Sequence, residues 1–202
     1  MRYILLIGLI AISICSNGQT KDKKNNISIG GGKESYNGQL GNSWFNFSEE
    51  WYGFVNLSYS RYLNKSFDAL AFGTVGDIGR CRDDDASHNV LNLYVRMSSA
   101  VFALKYKFAN GYLLKEDARI SPFIFLGAGI NNLTDIWNHI DCNAGNDMTI
   151  NGGVGATYNF TKRFNFGYRM GFGYFTKPGA MDYSASMRAM YMQNTFCLGF
   201  NF

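Results

Sequence analysis

Met192 to Phe202 alternates residue by residue. Asn194, Phe196, Leu198, Phe200 and Phe202 share one parity, and Thr195, Cys197, Gly199 and Asn201 hold the other. A strand with one apolar face and one small or polar face is the element a membrane β-barrel is built from. The same period of two recurs upstream. Over 148–160, Ile150, Gly152, Val154, Ala156, Tyr158 and Phe160 oppose Thr149, Asn151, Gly153, Gly155, Thr157 and Asn159. Over 164–175, Phe164, Phe166, Tyr168, Met170, Phe172 and Tyr174 oppose Asn165, Gly167, Arg169, Gly171 and Gly173, after the tight polar turn Thr161-Lys162-Arg163. Phe102, Leu104, Tyr106 and Phe108 are predicted to point outward while Lys105 and Lys107 point inward. In 120–131, Ile124, Leu126, Ala128 and Ile130 share a parity, but Phe123 and Phe125 spoil the opposite one. Weaker strands are read at 26–36, 52–63 and 67–79. There Val55, Leu57 and Tyr59 oppose Asn56, Ser58 and Ser60, and Leu70 and Phe72 oppose Ala71 and Gly73. The whole predicts eight strands.

The connections alternate in length. Asn64-Lys65-Ser66, the Ala109–Gly111 region extended by Tyr112–Arg119, and Thr161–Arg163 form one set; long polar segments at about 37–50, 80–90, 132–147 and 176–188 form the other. Turns on the periplasmic side and longer loops outside is the outer-membrane arrangement. The expected fold is an all-β, eight-stranded, antiparallel, up-and-down transmembrane β-barrel over residues 19–202. A barrel of that size has an interior filled by side chains, without an open channel.

Composition decides against the alternative, a soluble β-sandwich, which also alternates. The outward face of a sandwich carries many charges, whereas here the chain is 17% charged and 16% aromatic, with 23 glycines and 2 prolines. Gly153, Gly155, Gly171 and Gly173 fill the non-apolar parity, which suits a narrow lumen. A formal net charge of +4 without a basic run gives no ground for nucleic-acid binding.

Residues 1–18 read as a secretory signal peptide. Met1-Arg2 is a short positive start, Tyr3–Ile14 an apolar stretch, and Ser16 and Gly18 are small residues before a cut at Gln19. The stretch falls short of the roughly 20 apolar residues a spanning helix needs. A lipidated Cys15 is the rival reading, but Ile14 is bulky where a small residue is wanted. Export combined with β-barrel patterning predicts the cell outer membrane.

The run Lys105–Gly111, then Glu116–Arg119, Ser121-Pro122-Phe123 and Phe125–Asn131, resembles the middle of small outer-membrane β-barrel proteins. It is similar to the transmembrane domain of outer membrane protein A. Gly152–Phe160, Lys162-Arg163 and Leu198–Phe202 fit the same pattern. The resemblance implies architecture and is nearly silent on activity. The peptidoglycan-binding domain of longer relatives is not carried over. A final strand carrying Phe196, Leu198, Phe200 and Phe202 looks like the signal read by outer-membrane insertion machinery.

The candidate chemistry is sparse. Cys81 in the second long loop and Cys142 in the third would meet an oxidising exterior, so a disulfide between them is a candidate. Cys197 reads as a small buried hydrophobe. Asp83, Asp84, Asp85 and His88 lie near the first of these cysteines, His139 and Asp141 near the second. Cys81, His88, His139 and Cys142 offer soft ligands, but their spacing matches no standard zinc site, and no metal or other cofactor is expected. The paired acids and histidine also suggest an omptin-like protease, for which the chain is too short. Lipid A acyltransferases and deacylases want a histidine near a serine at the lipid interface, and no histidine falls on a predicted strand. Inward Lys105, Lys107 and Arg169, with Glu34 and Asp77 as partners, form either a salt-bridged plug or a gate, since buried charges need pairing. Trp44, Trp51, Tyr52 and Tyr62 are expected to anchor the interface or loops.

Together these readings predict a monomeric, non-enzymatic barrel with a structural or interaction role through its extracellular loops. Its expected surroundings are outer-membrane lipid and lipopolysaccharide, and the barrel-assembly machinery during insertion. A narrow channel for small solutes or ions is the alternative, and a lipid-interface enzyme a further one.

Overall fold

A computed structural model describes residues 24–37, 52–84, 89–135, 145–176 and 190–202; the side chains of 36–37, 79–84, 89–95 and 135 lie outside that set. Eight strands run in order: β1 (Asn25–Asn37), β2 (Tyr52–Tyr62), β3 (Phe67–Asp84), β4 (Asn89–Lys107), β5 (Ile120–Asp135), β6 (Gly145–Asn159), β7 (Phe164–Phe175) and β8 (Met190–Asn201). Each pairs antiparallel with its sequence neighbours, and β1 pairs with β8, closing a barrel. Closure satisfies every strand edge, the condition for a sheet to cross a bilayer. At the seam Asn25 and Phe202 exchange two backbone hydrogen bonds, 3.0 and 2.9 Å.

The alternation in the sequence becomes an inside and an outside. Val101 is 1% exposed and its neighbour Phe102 is 74% exposed. Ile29, Val55, Leu57, Leu126 and Leu198 share the outer face with Phe102. Each large apolar side chain left in water forgoes about 1.5–3 kcal/mol, so a continuous belt of them belongs in hydrocarbon. At the short-turn end the belt meets aromatic pairs. Phe67–Tyr106 and Tyr106–Phe108 have ring centroids 5.3 Å apart, as do Tyr158 and Phe160. Turn side chains close that end: Asn64 Oδ1 accepts from the backbone N–H groups of Ser66 and Phe67, and Thr161 Oγ1 from those of Arg163 and Phe164.

Three expectations need correction. The segment at 80–90 is mostly strand: β3 and β4 pair from Phe67–Tyr106 out to Asp84–Asn89, so Cys81, Asp83 and Asp84 belong to the sheet and not to a loop. A ladder already under way adds a hydrogen bond at each step, and polar composition alone does not end it. Likewise β5 continues to Asp135 and β6 begins at Gly145, inside the segment expected as loop. Finally, in β3 it is Leu70 and Phe72 that face inward, leaving Ala71 and Gly73 on the outer side. Residues 1–18, read as a signal peptide, the stretches 38–51 and 177–189, and Trp44 and Trp51 lie outside the described residues.

Candidate functional site

The lumen is filled in layers. Toward the long-loop end the Tyr191 hydroxyl donates to Asn151 Oδ1 (2.7 Å), Asn151 donates to Thr149 Oγ1 (2.9 Å), and Asn131 donates to the same oxygen (3.2 Å). Phe175 packs against Tyr191 with centroids 5.5 Å apart. Below them Gln193 donates to Glu34 Oε2 (2.7 Å) and to Thr74 Oγ1 (3.4 Å), and Thr74 shares a short hydrogen bond with Ser99.

The middle layer is aromatic. Phe72 and Phe125 meet edge to face with centroids 6.0 Å apart, and Leu70, Val101 and Phe123 complete the cluster. These rings explain the spoiled parity of β5. Phe123 and Phe125 point inward because β6 and β7 present Gly155, Gly153 and Gly171 opposite them, and a Cβ at any of these would press on a ring. Large residues on one wall and glycines on the other fill a narrow barrel to close packing.

Arg169 enters this layer from β7. Its guanidinium carbon lies 3.9 Å from the centre of the Phe72 ring and 5.8 Å from that of Phe125. β7 and β3 are four strands apart in the eight-stranded ring, so the contact crosses the full width of the lumen. Stacking a guanidinium on aromatic faces is a recognised attraction. No described carboxylate pairs with Arg169, and its Nη2 is buried without a hydrogen-bond partner.

Lys105 and Lys107 converge on Asp68, which is wholly buried: Lys107 Nζ approaches Oδ1 at 2.5 Å and Lys105 Nζ approaches Oδ2 at 3.5 Å. Lys105 also lies over Phe123 (4.6 Å) and Lys107 over Tyr62 (4.3 Å). At the short-turn mouth Asn26 and Asn165 both donate to Asn201 Oδ1, at 2.7 and 3.2 Å.

The four inward charges read from the sequence are therefore in the lumen but do not form one network. Glu34 serves Gln193 and pairs with none of the three cations. Asp77 is not a lumen partner either: on the outer parity, it binds Arg96, directly opposite on β4, through contacts of 2.9 and 3.4 Å. The carboxylate that does neutralise the lysines is Asp68, which the sequence reading missed. It shares the parity of Leu70 and Phe72 and stands in register with Lys105. Tyr62 proves to be a lumen-side residue under Lys107 instead of an interfacial anchor, and Tyr52 shares its parity.

Phe196 and Leu198 lie on the outer face of β8 and Phe202 follows it, exposed, while Phe200 packs at a tilt against Phe164 with centroids 5.2 Å apart. Cys197 is a free thiol, donating toward Asn56 Oδ1 at 3.7 Å. Cys142, Asp85, Asp141 and both histidines lie outside the described residues, as does the side chain of Cys81. Among the described residues no group of three or more His, Cys, Asp or Glu side chains is placed to hold a metal.

Two small cavities occupy the short-turn half. One, about 60 Å³, lies beneath Arg169; the other, about 50 Å³, lies at the mouth beside Lys107 and Glu116.

No sequence-family model and no curated protein matches the chain. Solved structures do. Neisserial surface protein A is 9% identical with a TM-score of 0.63, the match covering 88% of this chain and 97% of that one. The attachment invasion locus protein of Yersinia pestis, solved with the heparin analogue sucrose octasulfate, is 14% identical with a TM-score of 0.51 over 89% and 99%. The outer membrane protein OprG from Pseudomonas aeruginosa is 11% identical with a TM-score of 0.51 over 89% and 97%. At such identities the likeness concerns the fold, which is that of small outer-membrane β-barrels.

Proposed function

We propose that this protein is a closed, non-catalytic barrel of the outer membrane, acting structurally or through partners met by its extracellular loops. The observation that carries this reading is the contact of Arg169 with Phe72 across the lumen, in a layer sealed by Phe125 and Val101. A conduction path needs a continuous wet lumen, and this layer is packed with rings. The ion-paired Asp68 and the Glu34–Gln193 bond add cross-strand ties above and below it. The plug reading of the interior charges is thus favoured over the gate. On the same reading the barrel works as a monomer among outer-membrane lipid and lipopolysaccharide, and reaches that site through the barrel-assembly machinery.

Planar-bilayer recording tests it. The purified, reconstituted barrel should give no steady unitary conductance. Reproducible current steps that Arg169→Ala abolishes would install the channel reading in its place. A lipid A mass profile altered by deleting the protein would instead support an enzyme at the lipid interface.

A further inference from the structure

The cavity beneath Arg169 has the chemistry of an anion site. Its walls carry two cations, Arg169 and Lys105, and the polar groups of Ser28, Ser58, Asn165 and Cys197. Arg169 is 6% exposed, so its charge is removed from water, and its Nη2 has no hydrogen-bond partner among the described residues. The rings of Phe72 and Phe125 address the face of the guanidinium. They leave this in-plane N–H donor unanswered. A buried ionic group with a free donor is costly unless something accepts from it.

The charge balance of this half of the lumen points the same way. Arg169 and Lys107 are its buried cations, Lys105 is half-buried beside them, and Asp68 is the buried carboxylate facing the two lysines. Asp68 is taken up by the two lysines. Glu34 sits toward the other end, held by Gln193. Glu116, at the mouth, faces Lys65 at 3.7 Å. Three cations therefore face one carboxylate, and among the described residues no acid is left to pair with Arg169.

We propose that the lumen binds a small inorganic anion of the halide class in this cavity, held by Arg169 and Lys105. A space of about 60 Å³ exceeds the roughly 10–15 Å³ a single water requires, and so admits one monatomic anion with accompanying water. A spherical anion accepts from donors in any direction, which suits a wall of one guanidinium, one ammonium and serine hydroxyls better than the planar fit a carboxylate demands. Access is from the short-turn end. The mouth cavity and the inner one share Asn26, Lys105, Thr157 and Asn165 as walls. The site does not depend on whether the barrel conducts.

Bromide is the probe. Crystals of the barrel grown in bromide should show an anomalous peak at the bromine edge in contact with Arg169 and Lys105. Water-only density in the cavity, or a peak confined to the mouth beside Lys107, would overturn the proposal. In detergent or vesicles at constant ionic strength, replacing gluconate with bromide at ten times its Kd should shift the unfolding equilibrium of the wild type about tenfold toward the folded state. Arg169→Met should lose that shift, and so should Lys105→Gln, which leaves the central stack in place if the first variant fails to assemble. A bromide response equal in wild type and Lys105→Gln would also overturn it.

Discussion

The ring of Tyr191 occupies the space that a side chain at Gly173 would need. The two residues are directly paired between β8 and β7, and a Cβ on Gly173 would run into the phenol. With the ring seated there, the hydroxyl reaches Asn151 on the far side of β7. Gly173→Val should therefore expel Tyr191 and break the long-loop-end network. Overpacking of this kind costs about 1–3 kcal/mol. Urea unfolding in lipid vesicles should show the loss, and Tyr191→Ala in the Gly173→Val background should restore part of it.

Asp68 answers two lysines at once. Asp68→Asn leaves Lys105 and Lys107 facing each other in a lumen where neither is well hydrated. Removing one partner of a buried ion pair costs about 3–5 kcal/mol. The folded barrel should lose its heat-modifiable gel shift at a markedly lower temperature. Adding Lys107→Met should recover stability, because the charge that needed Asp68 is then gone; no recovery would mean that the pair is not the source of the effect.

Phe125 holds the central layer together, packing on Phe72 and over Gly153 and Gly171. Truncating a buried phenylalanine to alanine costs about 3–5 kcal/mol. Phe125→Ala should destabilise the barrel by that order in equilibrium unfolding. Phe125→Leu should cost much less, since it keeps most of the volume. Leu126→Ala, next to it on the outer face, should cost clearly less than Phe125→Ala, because lipid tails refill the space it leaves.

Phe202 has two separable contributions. Its backbone closes the seam with Asn25, while its ring stacks on Phe200 with centroids 6.2 Å apart. Deleting Phe202 removes both, and Phe202→Ala removes the ring alone. Deletion should lower the yield of folded, heat-modifiable protein in cells more than Phe202→Ala does. Equal, normal yields from both would count against a role of Phe202 in assembly.

A disulfide between Cys81 and Cys142 should speed migration on non-reducing gels. The backbone of Cys81 lies on β3, opposite Asn92 of β4. A bridge would tie the segment before β6 to the end of β3. Thiol labelling of both cysteines in oxidised protein would dismiss it.

Alternation along the chain was enough to tell the lipid face from the lumen face in β6, β7 and β8, but not in β3, where Leu70 and Phe72 face the lumen. Period-two alternation is a local property, and in β6, β7 and β8 every residue read as outward or inward lies on that side. It also showed the closed, eight-stranded form, since bilayer-crossing strands cannot leave edges unpaired. What it left open was how the inward side chains meet. The partner of Lys107 stands on β3, the ring beneath Arg169 lies across the barrel, and the space for Phe123 and Phe125 is made by glycines on the next two strands. Those contacts depend on register and stagger around the closed ring, which sum small shifts over all eight strands. For the same reason the limits of β3 and β4 escaped the sequence. A ladder ends where its partner ends, and only the pairing shows where that is.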